Sequence, residues 1–177
     1  MKKWQHLTLV IGIVLIVGAI GALFYYQFLS PQGRAESENS FAKEYGLVLQ
    51  NYDGKDVRLS AYRGKIMVAY VWASWCPYCA KELENLGTLK AMYGDRIEVV
   101  AINRAEPRSV AKSYTDQLTN AQGVEFLLDP QDSFFKTDGG YAMPETVFIN
   151  EHGEVTHHQR GPMNLEEVSA KLKLLLQ

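Results

Sequence analysis

Both cysteines of this 177-residue chain fall in one short stretch, Ala73-Ser74-Trp75-Cys76-Pro77-Tyr78-Cys79-Ala80-Lys81-Glu82. Two thiols separated by two residues can close a disulfide, grip a metal or sit idle in a core. As a structural staple the pair would close a very short loop, and the chain-entropy view gives short loops the least stabilisation. Reversible disulfide chemistry is the better use. Pro77 suits the first turn of a helix because it lacks an N–H that would be unsatisfied there. With a helix expected from Pro77, Cys76 lies near the positive end of the helix dipole, where free N–H groups favour thiolate over thiol. Cys76 is therefore the expected nucleophile, and Cys79, one turn on, the expected resolving thiol. Glu82 lies three residues beyond Cys79 on the same helical face. Buried, its carboxyl would hold its proton more tightly and could accept the Cys79 proton; solvated, it would be an ordinary surface glutamate.

Metal binding is the competing chemistry. Zinc wants about four ligands, and His152, His157 and His158 sit at no recognised finger spacing from the cysteines. His157 and His158 are neighbours in an expected strand and so point to opposite faces. Copper held by both thiols and one histidine is the alternative function from a different class.

The elements that must position these groups are legible in the apolar patterning. Residues 66–73, Ile-Met-Val-Ala-Tyr-Val-Trp-Ala, read as a central strand buried on both faces. Apolar positions from Leu83 to Tyr93 have helical spacing and stop at Gly94, a natural cap. Residues 97–103 give a second apolar strand, so a right-handed βαβ unit with parallel strands is expected. Before it, Asp53-Gly54 marks a tight hairpin. After it come a helix in the region 109–121, a strand at 124–129, a hairpin turning at Glu151-His152-Gly153, and a closing helix whose Asn164 and Glu167 are spaced for a capping box. The pattern is α/β, a central mixed β-sheet flanked by helices.

Leu7 to Phe24 contains no charged residue, and none occurs between Lys3 and Arg34. At about 1.5 Å per residue such a run matches a bilayer's hydrocarbon thickness. Residues 1–29 are expected to be an uncleaved membrane anchor, with a cleavable signal peptide as the alternative. Lys2 and Lys3 favour a cytoplasmic N-terminus and an extracytoplasmic remainder. Residues 30–40, polar with proline and glycine, read as a linker, and 41–177 as one domain. The formal net charge is −2 with no basic block, which argues against nucleic acid as a partner.

From Phe41 onward the chain resembles the membrane-anchored thioredoxin-like thiol–disulfide oxidoreductases of the TlpA/ResA/CcmG type. The resemblance is carried by residues 53–65 (DGKDVRLSAYRGK), 71–83 (VWASWCPYCAKEL), 127–130 (LLDP) and 141–155 (YAMPETVFINEHGEV). It implies a thioredoxin-like fold with an N-terminal β-hairpin extension, and a redox-active Cys76/Cys79 disulfide with no other cofactor. It also implies a cis bond before Pro144, with Met143 presenting backbone groups to an extended substrate. Trp75, Pro77 and Tyr78 would complete the substrate-binding surface, while Trp72 belongs to the core. Cytoplasmic thioredoxins carry a buried aspartate six residues before the first cysteine; here Tyr70 stands there, leaving the proton-acceptor role to Glu82. The implied activity is reduction of protein disulfides on the outer side of the membrane, in some members on apocytochrome c, with electrons from a membrane thiol donor. A disulfide-forming oxidant of the same fold is the alternative direction, and Pro77-Tyr78 departs from the Glu-Pro or Gly-Pro of many members. A peroxidase reading would want Thr-x-x-Cys, and residues 73–76 do not supply it.

Overall fold

The computed structural model describes residues 2–25, 46–137 and 139–177, with side chains of the first segment described from Gly12 onward. The chain divides into two units, Met1–Asn39 and Ser40–Gln177. In the first, helix α1 runs Lys2–Phe24, and its described large apolar side chains, from Ile13 on, are exposed. The expected span 7–24 lies within α1, but residues 7–11 have no described side chains. Among the described residues no helix is long and apolar enough to cross a membrane. The expected linker, 30–40, and the expected domain start at Phe41 fall outside the described residues.

The second unit is built on one seven-stranded sheet. Its strands are β1 (Val48–Asn51), β2 (Asp56–Arg58), β3 (Ile66–Trp72), β4 (Ile97–Arg104), β5 (Glu125–Asp129), β6 (Glu145–Ile149) and β7 (Val155–Arg160), in the order β2-β1-β5-β4-β3-β6-β7. β3, β4 and β5 are parallel, and β1, β6 and β7 are added antiparallel, so the mixed sheet matches the sequence reading. All seven residues of β3 are buried, as a strand flanked by β4 and β6 and covered on both faces must be. The hairpin of β1 and β2 turns at Gly54, whose φ of 78° suits a residue without Cβ.

Among the described residues of this unit, four α-helices accompany the sheet: α2 (Cys79–Tyr93), α3 (Arg108–Thr115), α4 (Ser133–Thr137) and α5 (Leu165–Leu175). One face of β3 sends Ile66, Val68, Tyr70 and Trp72 against Leu83, Leu86 and Leu89 of α2 and Val168 and Leu172 of α5. The other face sends Met67, Ala69 and Val71 against Leu59, Tyr62, Phe134 and Phe135. Each such side chain taken fully from water contributes about 1.5–3 kcal/mol, so truncating Leu83 to alanine costs on the order of 2–5 kcal/mol. α2 comes so close to the segment before β5 that a Cβ on Gly87 would lie 2.4 Å from the Asn120 carbonyl oxygen. The helix ends at Gly94 (φ 57°), as expected from sequence. α5 begins with a complete capping box: Asn164 Oδ1 accepts from the Glu167 N–H, and Glu167 Oε2 accepts from the Asn164 N–H.

Two local expectations are corrected. The redox helix starts at Cys79 rather than Pro77, because the Cys79 N–H donates back to the Cys76 carbonyl at 3.3 Å and closes residues 76–79 as a turn. The helix expected in 109–121 is short, ending at Thr115.

Candidate functional site

The site forms where three segments meet at the C-terminal end of β3. The first is the turn that leaves β3 and enters α2. It brings Cys76 and Cys79 to a Cα separation of 5.5 Å, joined as a disulfide. Both sulfur-bearing residues are buried, at 1% and 0% exposure, while Trp75 (62%) and Tyr78 (56%) stand out beside them. Trp72 is fully buried and stacks on Tyr114 with ring centroids 5.4 Å apart, as its expected core role requires.

The second segment is the loop into β6. The Met143–Pro144 peptide is cis, as the resemblance implied. β6 pairs with β3 at Val71 and Glu145, so Pro144 arrives beside the end of β3, where the cysteine turn begins. Met143 is partly buried against the core cluster that contains both cysteines. The third segment is the approach to α5, where the Met163 N–H donates to Glu82 Oε1 at 3.0 Å.

Glu82 is buried, resolving its two readings in favour of the enclosed carboxyl. Burial is the main cause of a carboxyl pKa pushed up to about 7; the Glu167 charge adds to the rise, while the Met163 N–H and the Tyr70 hydroxyl oppose it. At neutral pH such a group is divided between acid and base, as an acceptor for the thiol proton of Cys79 must be. A cleft of about 450 Å³ reaches Glu82 from outside, lined by Pro77, Tyr78, Lys81, Met163 and Asn164 among others.

Two further carboxylates hold the site in shape, and the sequence reading singled out neither. Glu106 accepts from the Ser74 N–H at 2.8 Å, from Ser74 Oγ at 2.5 Å and from Asn103 Nδ2 at 2.7 Å, tying the cysteine turn to the end of β4. Glu145, fully buried, accepts from the Tyr141 N–H at 2.9 Å and the Ala142 N–H at 2.8 Å, and its other oxygen meets His158 Nε2 at 2.8 Å. Gly140 makes room for it, since a Cβ there would sit 2.9 Å from Glu145 Oε2. The signal for Glu145 was its position directly after Pro144; the signal for Glu106 was an acidic residue just beyond a parallel strand's C-terminal end, where open α/β sheets place their sites.

The histidines are engaged elsewhere. His158 faces Glu145, and His157 packs on Phe148 at 5.8 Å on the opposite face, with burial lowering its pKa. Among the described residues no cluster of three or more His, Cys, Asp or Glu side chains is placed to hold a metal ion.

Residues 35–174 match the family model described as Redoxin. The chain belongs to the Redoxin family. Among curated relatives, this Redoxin is 29% identical over 177 residues to the "Thiol-disulfide oxidoreductase ResA" of Geobacillus kaustophilus, covering 98% of each chain. Among solved structures it is similar to the exposed lipoprotein thioredoxin of Streptococcus pneumoniae (27% identity, TM-score 0.66, 73% of this chain and 98% of that one). It is also similar to MTB dsbF in mixed oxidised and reduced forms (23% identity, TM-score 0.69, 75% and 96%), a likeness of fold. The sheet, the helices on both faces and the added hairpin are thus those of a thioredoxin-like Redoxin.

Proposed function

We propose that this chain, a thiol–disulfide oxidoreductase of the Redoxin family, works in the reducing direction on protein disulfides at the outer side of a membrane to which α1 tethers it. The observation that carries the exchange chemistry is the Cys76–Cys79 disulfide at the entry to α2 with buried Glu82 one turn further on. Cys76 attacks a substrate disulfide and forms a mixed disulfide; Cys79, its proton passed to Glu82, then attacks the Cys76 sulfur and releases the reduced substrate. Trp75, Pro77, Tyr78, Met143 and the peptide before Pro144 receive the substrate chain. The relatives named thiol-disulfide oxidoreductase support the exchange chemistry, the resemblance to the anchored family favours the reducing direction, and we take apocytochrome c as a substrate and a membrane thiol protein as the electron donor. The uncharged stretch 7–24, helical in α1, supports the tether.

The test is a pair of measurements on the full chain. Replacing Cys76 with serine abolishes exchange with a disulfide substrate, whereas Cys79→Ser accumulates mixed disulfides; activity that survives Cys76→Ser overturns the reading. The reduction potential of the pair against glutathione reads direction, with about −270 mV or below expected and a value near about −120 mV reversing it.

A further inference from the structure

Tyr70 is 1% exposed on the face of β3 covered by α2, in the same core cluster as Cys76 and Cys79. Its ring has every reason to be there; its hydroxyl has none. The oxygen is buried and makes no hydrogen bond of regular geometry, the kind of orphaned group a folded core avoids because it forfeits about 1–3 kcal/mol. The carboxyl it faces is Glu82, and the two are close enough to alter each other's proton affinity: the Glu82 charge raises the phenol's, and the phenol lowers the carboxyl's. Glu82 spends Oε1 on the Met163 N–H, and no other hydrogen bond holds Oε2 among the described residues.

We propose that Tyr70 is a positioning residue for Glu82, its hydroxyl donating to the carboxylate oxygen that Met163 leaves free when Glu82 takes up charge during the exchange cycle. The inference rests on the exchange reading given above. Burial, first, and then the charge of Glu82 hold the Tyr70 proton in place, so Tyr70 serves as donor only. In the resolving step the Cys79 thiol gives its proton to Glu82, and the Cys79 sulfur bonds to the Cys76 sulfur. The bond from Cys76 to the substrate sulfur breaks, its electron pair leaving on the substrate thiolate, which is then protonated. Tyr70 favours the charged form of Glu82 that must exist before this transfer. Other groups around the carboxyl set its background. Glu167 on α5 opposes the charge, Lys81 on α2 lines the same cleft, and Tyr114 on α3 acts on Tyr70 itself.

The test uses the reduced full-length protein and the aromatic disulfide 5,5′-dithiobis(2-nitrobenzoate). Attack by Cys76 releases one coloured thiolate, and resolution by Cys79 releases the second, whose rate is followed from pH 5 to 9. Tyr70→Phe is expected to move the midpoint of that pH profile upward by about one unit and to slow resolution about tenfold below it. In a Glu82→Gln background the same change is expected to do nothing further. Superimposed profiles for wild type and Tyr70→Phe overturn the proposal while leaving exchange intact. Absence of a second release from the wild type overturns the exchange reading and this inference with it. If Tyr70→Phe does not fold, 3-fluorotyrosine placed at position 70 gives a second readout. Its fluorine resonance follows the Glu82 titration and is flat in Glu82→Gln, and a resonance already flat with Glu82 present overturns the proposal.

Discussion

Glu82 and Glu145 are both buried carboxylates on opposite faces of the sheet, one in α2 and the other paired with Val71 near the end of β3, and their surroundings differ in kind. Glu145 is answered on every side: two backbone N–H groups of the loop before Pro144 meet one oxygen and His158 meets the other. Glu82 receives a single backbone N–H, faces the negative Glu167, and keeps its proton up to about pH 7. A carboxylate saturated with donors works as a fixed knot, whereas one short of donors is free to give and take a proton. The contrast makes Glu145 a holder of loop geometry and is the ground for proposing Glu82, rather than Glu145, as the proton acceptor.

The largest effect should come from untying the knot. Glu145→Ala removes the buried carboxylate that the part-buried Tyr141 and Ala142 N–H groups and His158 Nε2 meet, and removing one partner of such an arrangement costs about 3 kcal/mol. Denaturant unfolding should show that loss, and hydrogen exchange at the Tyr141 and Ala142 amides should accelerate with it. A cost below about 1 kcal/mol would make Glu145 no more than a passenger.

Glu82→Gln should have the opposite signature. The fold keeps its single hydrogen bond at that position, and the release of reduced substrate slows by about a hundredfold, the low end of what a positioned general base supplies. Formation of the mixed disulfide by Cys76, which does not need Glu82, should be little changed. Equal slowing of both steps would mean that Glu82 acts on the whole site rather than on Cys79.

The same contrast explains what could be read in the sequence. β3, the hairpins, the Gly94 cap and the Asn164 capping box follow from local rules of period, turn chemistry and capping, and each appears where those rules put it. The proximity of Cys76, Cys79 and Glu82 was legible because it is local: a four-residue turn joins the cysteines, and one turn of α2 separates Cys79 from Glu82. Glu145 and Glu106 were not, since their partners arrive from other segments: His158 through the pairing of β6 with β7, Ser74 through the neighbouring ends of β3 and β4. The start of α2 was misplaced by two residues because Pro77 fits a turn as well as a first helical turn, and only the bond from the Cys79 N–H to the Cys76 carbonyl decides between them. The short helix α4, which carries Phe134 and Phe135 into the core, has too few residues to show a helical period.

The smallest effect is thermodynamic and has a definite sign. In the folded, oxidised protein the Glu82 pKa lies near 7, above the value of about 4.5 that it regains on unfolding. Between these values the native state holds a proton that the unfolded state releases, so raising the pH favours unfolding. The stabilisation associated with neutral Glu82 is complete below about pH 4.5 and is lost as pH climbs through 7. Partial access to water through the cleft tempers it, leaving a loss of about 2 kcal/mol across the window. Subtracting the pH–stability curve of Glu82→Gln from that of the wild type isolates this contribution, because glutamine cannot titrate and the rest of the chain is common to both. The difference should favour the wild type most at the acid end and decline toward neutral pH. A difference that rises with pH instead would mean that the folded state stabilises the carboxylate, and Glu82 would then be unsuited to take the Cys79 proton at neutral pH.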